Sequence, residues 1–177
     1  MNTRRMLTMS TATAVLAVLA GAAISAQDRY TLKVPDGLAF SEFQGYEKWQ
    51  FVSISQTDDL VAVVLANPLM LETFQAGFPE NGKPVPDGAR MAKVHWKPVK
   101  SADAPAATIV PGALHDVDFM VKDSKRFAAS GGWGYAEFDY DVAAETFTPQ
   151  GSGANCGHAY HTIVASKDYV FTAFPKR

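Results

Sequence analysis

The chain has 177 residues, with 16 Lys and Arg against 18 Asp and Glu, four His and a single Cys. A formal charge of −2 lacks the basic footprint of a nucleic-acid binder, so no nucleic-acid partner is expected. One cysteine excludes an intramolecular disulfide, while 47% hydrophobic residues suffice for the core of one domain without staples.

The first 26 residues have the grammar of a signal peptide. Arg4 and Arg5 stand at the front, an apolar stretch follows from about Ala12 to Ile24, and the small residues Ser25 and Ala26 mark a cleavage site after Ala26. The run is interrupted by Ser and Thr and is short for a bilayer span, so no stable membrane anchor is expected. Export to the periplasm follows, and residues 27–177 form one expected domain. An unpaired cysteine there must be buried, bridged to another chain, metal-bound or covalently capped.

Gln50–Gln56 alternates in polarity and Leu60–Leu65 is almost continuously aliphatic, so both read as strands around Asp58 and Asp59. Asn67 is a good N-cap, Pro68 suits the first helical position, and Gly77 closes a short helix. After turn chemistry from Glu80 to Gly88, Ala89–Val99 reads as a strand with Met91, Lys93 and His95 on one face and Ala92, Val94 and Trp96 on the other. Ser101–Pro111 reads as a loop and Leu114–Val121 as a strand. Asp123 is placed to cap a short helix, Ser124–Ala129, that ends at Gly131 and Gly132. Trp133–Tyr140 is a further strand, whose Gly134, Ala136 and Phe138 face is small at one end. That leaves room for a flat group or simply for close packing. Asn155 is expected to cap a helix over Cys156–Val164, and Tyr169–Phe174 to close the sheet as a strand. Strands spaced this closely leave no room for helical crossovers, which predicts an α+β fold, mainly an antiparallel β-sheet with a few short helices.

The stretch Asn155–Thr162, N-C-G-H-A-Y-H-T, carries the only cysteine and two of the four histidines. On a helix His158 and His161 lie three residues apart and share a face. Attachment of a c-type haem uses cysteine thiols and a histidine directly after the second of them. His161 occupies the histidine position, and Tyr160 stands where that second cysteine is expected.

Together with V-K-D-S-K-R-F-A (Val121 to Ala128), G-G-W-G-Y (Gly131 to Tyr135), K-D-Y-V-F-T (Lys167 to Thr172), Y-E-K-W (Tyr46 to Trp49) and P-D-G-A-R-M-A-K (Pro86 to Lys93), this stretch closely resembles the cytochrome P-460 family of exported bacterial haem proteins. The resemblance implies a β-rich α+β domain, often a homodimer, with a haem c bound through Cys156 and with His161 as axial iron ligand. It places Lys93 where oxidative members carry a lysine cross-linked to the porphyrin. It also implies redox chemistry on hydroxylamine or nitric oxide with a soluble cytochrome as electron acceptor, or binding of a diatomic gas at an open iron. Glu137, opposite the small-residue face of its strand, is a candidate proton carrier or else a surface carboxylate.

Tyr160 departs from the family pattern and limits attachment to a single thioether through Cys156. Two alternatives stay open: a haem-free member acting as a periplasmic binding or interaction module, and a copper or zinc site on Cys156, His158 and His161. His115 reads as a hydrogen-bonded or exposed histidine, His95 shares the face of Lys93, and Trp49, Trp96 and Trp133 are core or haem-packing residues.

Overall fold

The computed structural model describes residues 27–35, 37–150 and 153–176, and of residues 153–156 the backbone alone. The predicted leader, residues 1–26, lies outside the described residues, among which no helix is long and apolar enough to cross a membrane. Six strands, β1 (Gln50–Gln56), β2 (Val61–Ala66), β3 (Arg90–Lys100), β4 (Ile109–Lys122), β5 (Trp133–Asp141) and β6 (Thr146–Pro149), form one antiparallel sheet in the order β1 to β6. Helix α1 (Pro68–Gln75) joins β2 to β3, and α2 (Gly153–His161) follows β6. This is the expected α+β domain.

Local chemistry sets the elements. The Asn67 side chain accepts the Met70 N–H at 3.0 Å, Pro68 opens α1, and Gly77 leaves it at φ 93°. Asn67 does more than cap: its carbonyl oxygen accepts the Arg90 N–H at 3.0 Å and its amide donates to the Gly88 carbonyl at 2.9 Å, tying α1 to the start of β3.

Four expectations are corrected. β4 begins at Ile109, inside the expected loop, because Pro98 pairs with Pro111 in a two-stranded arm. The pairing of β2 with β3 reaches only to Trp96 and that of β5 with β4 only to Asp116, so beyond these points the prolines deprive no further neighbour of an N–H. Ser124–Ala129 is not a helix. Asp123 accepts the Arg126 N–H at 2.9 Å in a tight turn, and only Ala128–Ser130 makes a 3-10 turn. Helix α2 starts at Gly153, so Asn155 lies within it, and it passes into a 3-10 stretch over Thr162–Lys167. Tyr169–Phe174 pairs with no strand. Asp168 (φ 46°) and Tyr169 (φ 63°) turn the chain through the left-handed region, and the segment beyond lies over a face of the sheet.

Each face of the sheet carries its own core. On one, Phe40, Phe43 and Tyr46 of the N-terminal segment pack on Ala92, Val94, Val117, Phe119 and Phe138, with Phe43 stacked on Phe119 at 4.2 Å. Ring pairs of this kind contribute about 0.5–1.5 kcal/mol each beyond their area. Gly134 belongs to this face, where an added Cβ would lie 2.3 Å from the Phe127 ring. Its smallness serves close packing against the Phe127 ring. On the other face Met70 and Phe74 of α1 join Met91, Met120, Trp133, Tyr135 and Val170, and Phe174 stacks on Phe74 at 5.7 Å.

Candidate functional site

The second face also holds a cavity of about 770 Å³. Its floor is the centre of the sheet, where Met91 pairs with Met120 and Lys93 with Asp118 across β3 and β4, and these pair with Tyr135 and Glu137 on β5. α2 and the Val170–Pro175 segment cover it, contributing Gly157, Tyr160, His161 and Phe171. Pockets for cofactors and other small molecules run from roughly 300 to 1,000 Å³, so this volume suits a large planar group.

His161 is held on several sides in the wall. Its Nδ1 donates to the Tyr169 carbonyl at 2.6 Å, which fixes the tautomer and leaves Nε2 as the acceptor. Its ring lies between Tyr135 (centroids 4.8 Å apart) and Phe171 (5.0 Å). Burial holds its pKa below the usual imidazole value despite that hydrogen bond, and Lys93 adds to the effect. A neutral imidazole whose second nitrogen is anchored to a backbone carbonyl is the usual state of a metal-ligating histidine.

Gly157 lets α2 sit this close: a Cβ there would lie 2.5 Å from the Tyr135 side chain. Four residues before His161, it shares that residue's face of the helix. The Tyr135 hydroxyl is buried and meets no partner among the described residues, and burial pushes its pKa well above the ordinary phenol value. Such an atom in a cavity wall suits a ligand with polar groups of its own.

Lys93 lines the floor as its strand face predicts, and no hydrogen bond or salt bridge holds its ammonium among the described residues. Beside it Asp118 is pushed up to about 7, first by burial and then by the charge of Asp116. Glu137 is raised for the same two reasons, and it is an exposed carboxylate that also lines the cavity. Burial alone would raise Asp116, but hydrogen bonds with His95 and His115 outweigh it and hold this carboxyl below the usual range.

The structure therefore brings Lys93, Glu137 and His161 into one cavity. Cys156 lies in α2 five residues before His161, and its side chain is outside the described residues. His158 packs on Tyr169 at 5.4 Å, whereas His161 packs on Tyr135 and Phe171. Trp49 and Trp96 pack in the core of the opposite face, and none of the three tryptophans lines the cavity. Sequence reasoning missed Asp118 and Tyr135. The period-2 rule that joined Met91, Lys93 and His95 gives each strand its faces, but strand register had to be known before these residues could be set beside Lys93.

A carbonyl-anchored histidine in a cavity of this size could hold a prosthetic group through its imidazole. The sequence pattern of the family described as Cytochrome P460 matches residues 43–172, and the chain belongs to that family. It is accordingly an iron-binding haem protein of the c type. No curated protein shows a significant match to the chain.

Proposed function

We propose that this is an exported, periplasmic c-type cytochrome in which His161 Nε2 is the axial ligand and Cys156 the single thioether attachment. The observation that carries the proposal is the Nδ1 hydrogen bond from His161 to the Tyr169 carbonyl inside the cavity, which presents a neutral, oriented imidazole to that space. Tyr135 and Phe171 keep the ring from swinging. Lys93, on the floor and without an ion-pair or hydrogen-bond partner among the described residues, is a residue available for a further link to the porphyrin.

When bound, the haem supplies one-electron chemistry at an open iron position, and we infer redox conversion of a small nitrogen species, hydroxylamine or nitric oxide. Electrons removed from the substrate pass to a soluble cytochrome. Binding of a diatomic gas is the simpler use of the same open position, and a homodimer is the proposed assembly. Oxidation of a substrate bearing N–H and O–H bonds releases protons, and Asp118 and Glu137 are the cavity groups able to take them. Asp118, pushed up to about 7, exchanges its proton near neutral pH. Activity should therefore rise with pH through about 7 as Asp118 ionises, and D118N should remove that limb of the kcat/KM profile.

The deciding experiment is the intact mass and visible spectrum of protein matured with haem-attachment machinery, beside H161A. A mass gain of one haem that survives denaturation, with ligation altered in H161A, is the expected result. A bare polypeptide whose Cys156 reacts with a thiol reagent after unfolding would refute it and leave the haem-free binding module.

A further inference from the structure

The Tyr169 carbonyl that receives the His161 Nδ1–H sits on a turn of uncommon shape. Asp168 (φ 46°, ψ 43°) and Tyr169 (φ 63°) are consecutive residues in the left-handed region. Residues with a Cβ enter that region at a cost, and they stay there only where the surroundings over-determine it.

Three donors converge on the Asp168 carboxylate. Its Oδ1 accepts the Lys122 ammonium at 2.6 Å and the Trp133 indole N–H at 3.2 Å, and its Oδ2 accepts the Val85 N–H at 2.8 Å. The Lys122 side chain is 8% exposed and that of Asp168 16%, and Lys122 also donates to the Gly131 carbonyl at 3.0 Å. Gly131 in turn lies against the Tyr169 ring, where an added Cβ would come within 2.2 Å. The peptide that carries the Tyr169 carbonyl is closed on its other side, where the Val170 N–H donates to the Lys167 carbonyl at 3.1 Å.

These anchor points belong to the sheet. Lys122 ends β4 and pairs with Trp133, which begins β5. Two residues along each strand Met120 pairs with Tyr135, and both line the cavity. Side chains two apart on a strand share a face, so the ion pair and the cavity floor stand on the same face. None of Lys122, Trp133, Asp168 and Tyr169 lines the cavity itself.

We propose that Lys122, Trp133 and Asp168 form a clamp that positions the Tyr169 carbonyl and, through it, aims His161 Nε2 at the haem iron. The proposal rests on the reading of His161 as the axial ligand. A buried ion pair is a weak source of stability, since apolar residues of similar volume often serve as well. What this one supplies is a fixed distance between the sheet and the acceptor of the His161 N–H. The three act through Tyr169 and His161, so they are positioning residues. An acceptor held at Nδ1–H fixes the tautomer and makes the imidazole a more basic ligand. With the carbonyl released, that bond weakens and the ring is free to take the Nε2–H tautomer, whose Nε2 has no lone pair for a metal.

The test is the iron–histidine stretching band in resonance Raman spectra of the ferrous, haem-loaded protein, for D168N and for K122M/D168N. Asn tolerates the left-handed region, so D168N keeps that local preference, and the double variant leaves no unpaired charge buried. In both the band should move to lower wavenumber than in the parent. N67A loosens α1 and touches none of these groups, so its band should stay in place, which separates aim from stability. A band at the parent position in both clamp variants overturns the clamp while the haem reading stands. A parent that takes up no haem overturns the axial reading, and nitrogen NMR of the haem-free chain then decides what remains, the orientation of the ring. There the parent should hold His161 as the Nδ1–H tautomer and both variants should lose it to the Nε2–H form, and an unchanged tautomer overturns the clamp. If neither variant folds, the ion pair serves the fold as a whole, and a role directed at His161 is overturned.

Discussion

Tyr160 stands one residue before His161 at the edge of the cavity, 64% exposed and packed on Phe171 at 4.9 Å. Nothing buried is lost if it is replaced, so Y160C tests attachment and leaves folding alone. Matured beside the parent, Y160C should shift the reduced-pyridine haem band from the position of one thioether to that of two. An unshifted band would mean that position 160 cannot reach the porphyrin. Asp118 offers a second residue-scale test. Between the ordinary aspartate value and about 7 the folded protein keeps a proton that the unfolded chain has released. Its contribution to stability therefore falls as pH rises through that window, being greatest below it. In haem-free protein D118N should flatten this part of the stability profile measured by urea unfolding, and a profile as steep as the parent's would show that Asp118 is not the group responsible.

At the scale of elements, α1 and α2 are held by single residues that do several things at once. Asn67 caps α1 and bridges to Gly88 and Arg90, so N67A should cost more than an ordinary cap, about 2 kcal/mol by urea unfolding. G157A should drive a methyl group toward the Tyr135 ring and lift α2. Overpacking of this kind costs about 1–3 kcal/mol. Its signature would be weakened ligation by His161 in the absorption spectrum, with the sheet intact by circular dichroism.

The elements also show what could be read from the chain. β1, β2, β3 and β5 were legible because alternation and aliphatic runs fix both strand and faces, and α1 because Asn67, Pro68 and Gly77 mark its ends. β6 was not legible: four residues ending in Pro149, on the sheet edge, carry too short a pattern. Tyr169–Phe174 misled because its aromatic residues suit a strand, yet they are spent on Phe74, His161 and the cavity roof. Of the site, the strand face holding Lys93 and the helical placement of His161 could be read locally. The contact of Asp116 with both His95 and His115 could not, because it depends on one extra residue in a pairing between distant segments.

Considered whole, the molecule sets a sheet between two cores and gives the two faces different duties. The face under Phe40, Phe43 and Tyr46 is filled by aromatic packing, while the face under α2 is left partly hollow. The meander order has a further consequence for how the protein is made. Every strand pairs with the next one in sequence, so all six can be laid down as the chain emerges, before Gly153 begins α2. Local pairing of this kind forms early. The floor of the cavity would then wait, open to one side, for a tail that carries both the thiol and the imidazole proposed as haem ligand, so attachment chemistry on that tail need not compete with assembly of the sheet.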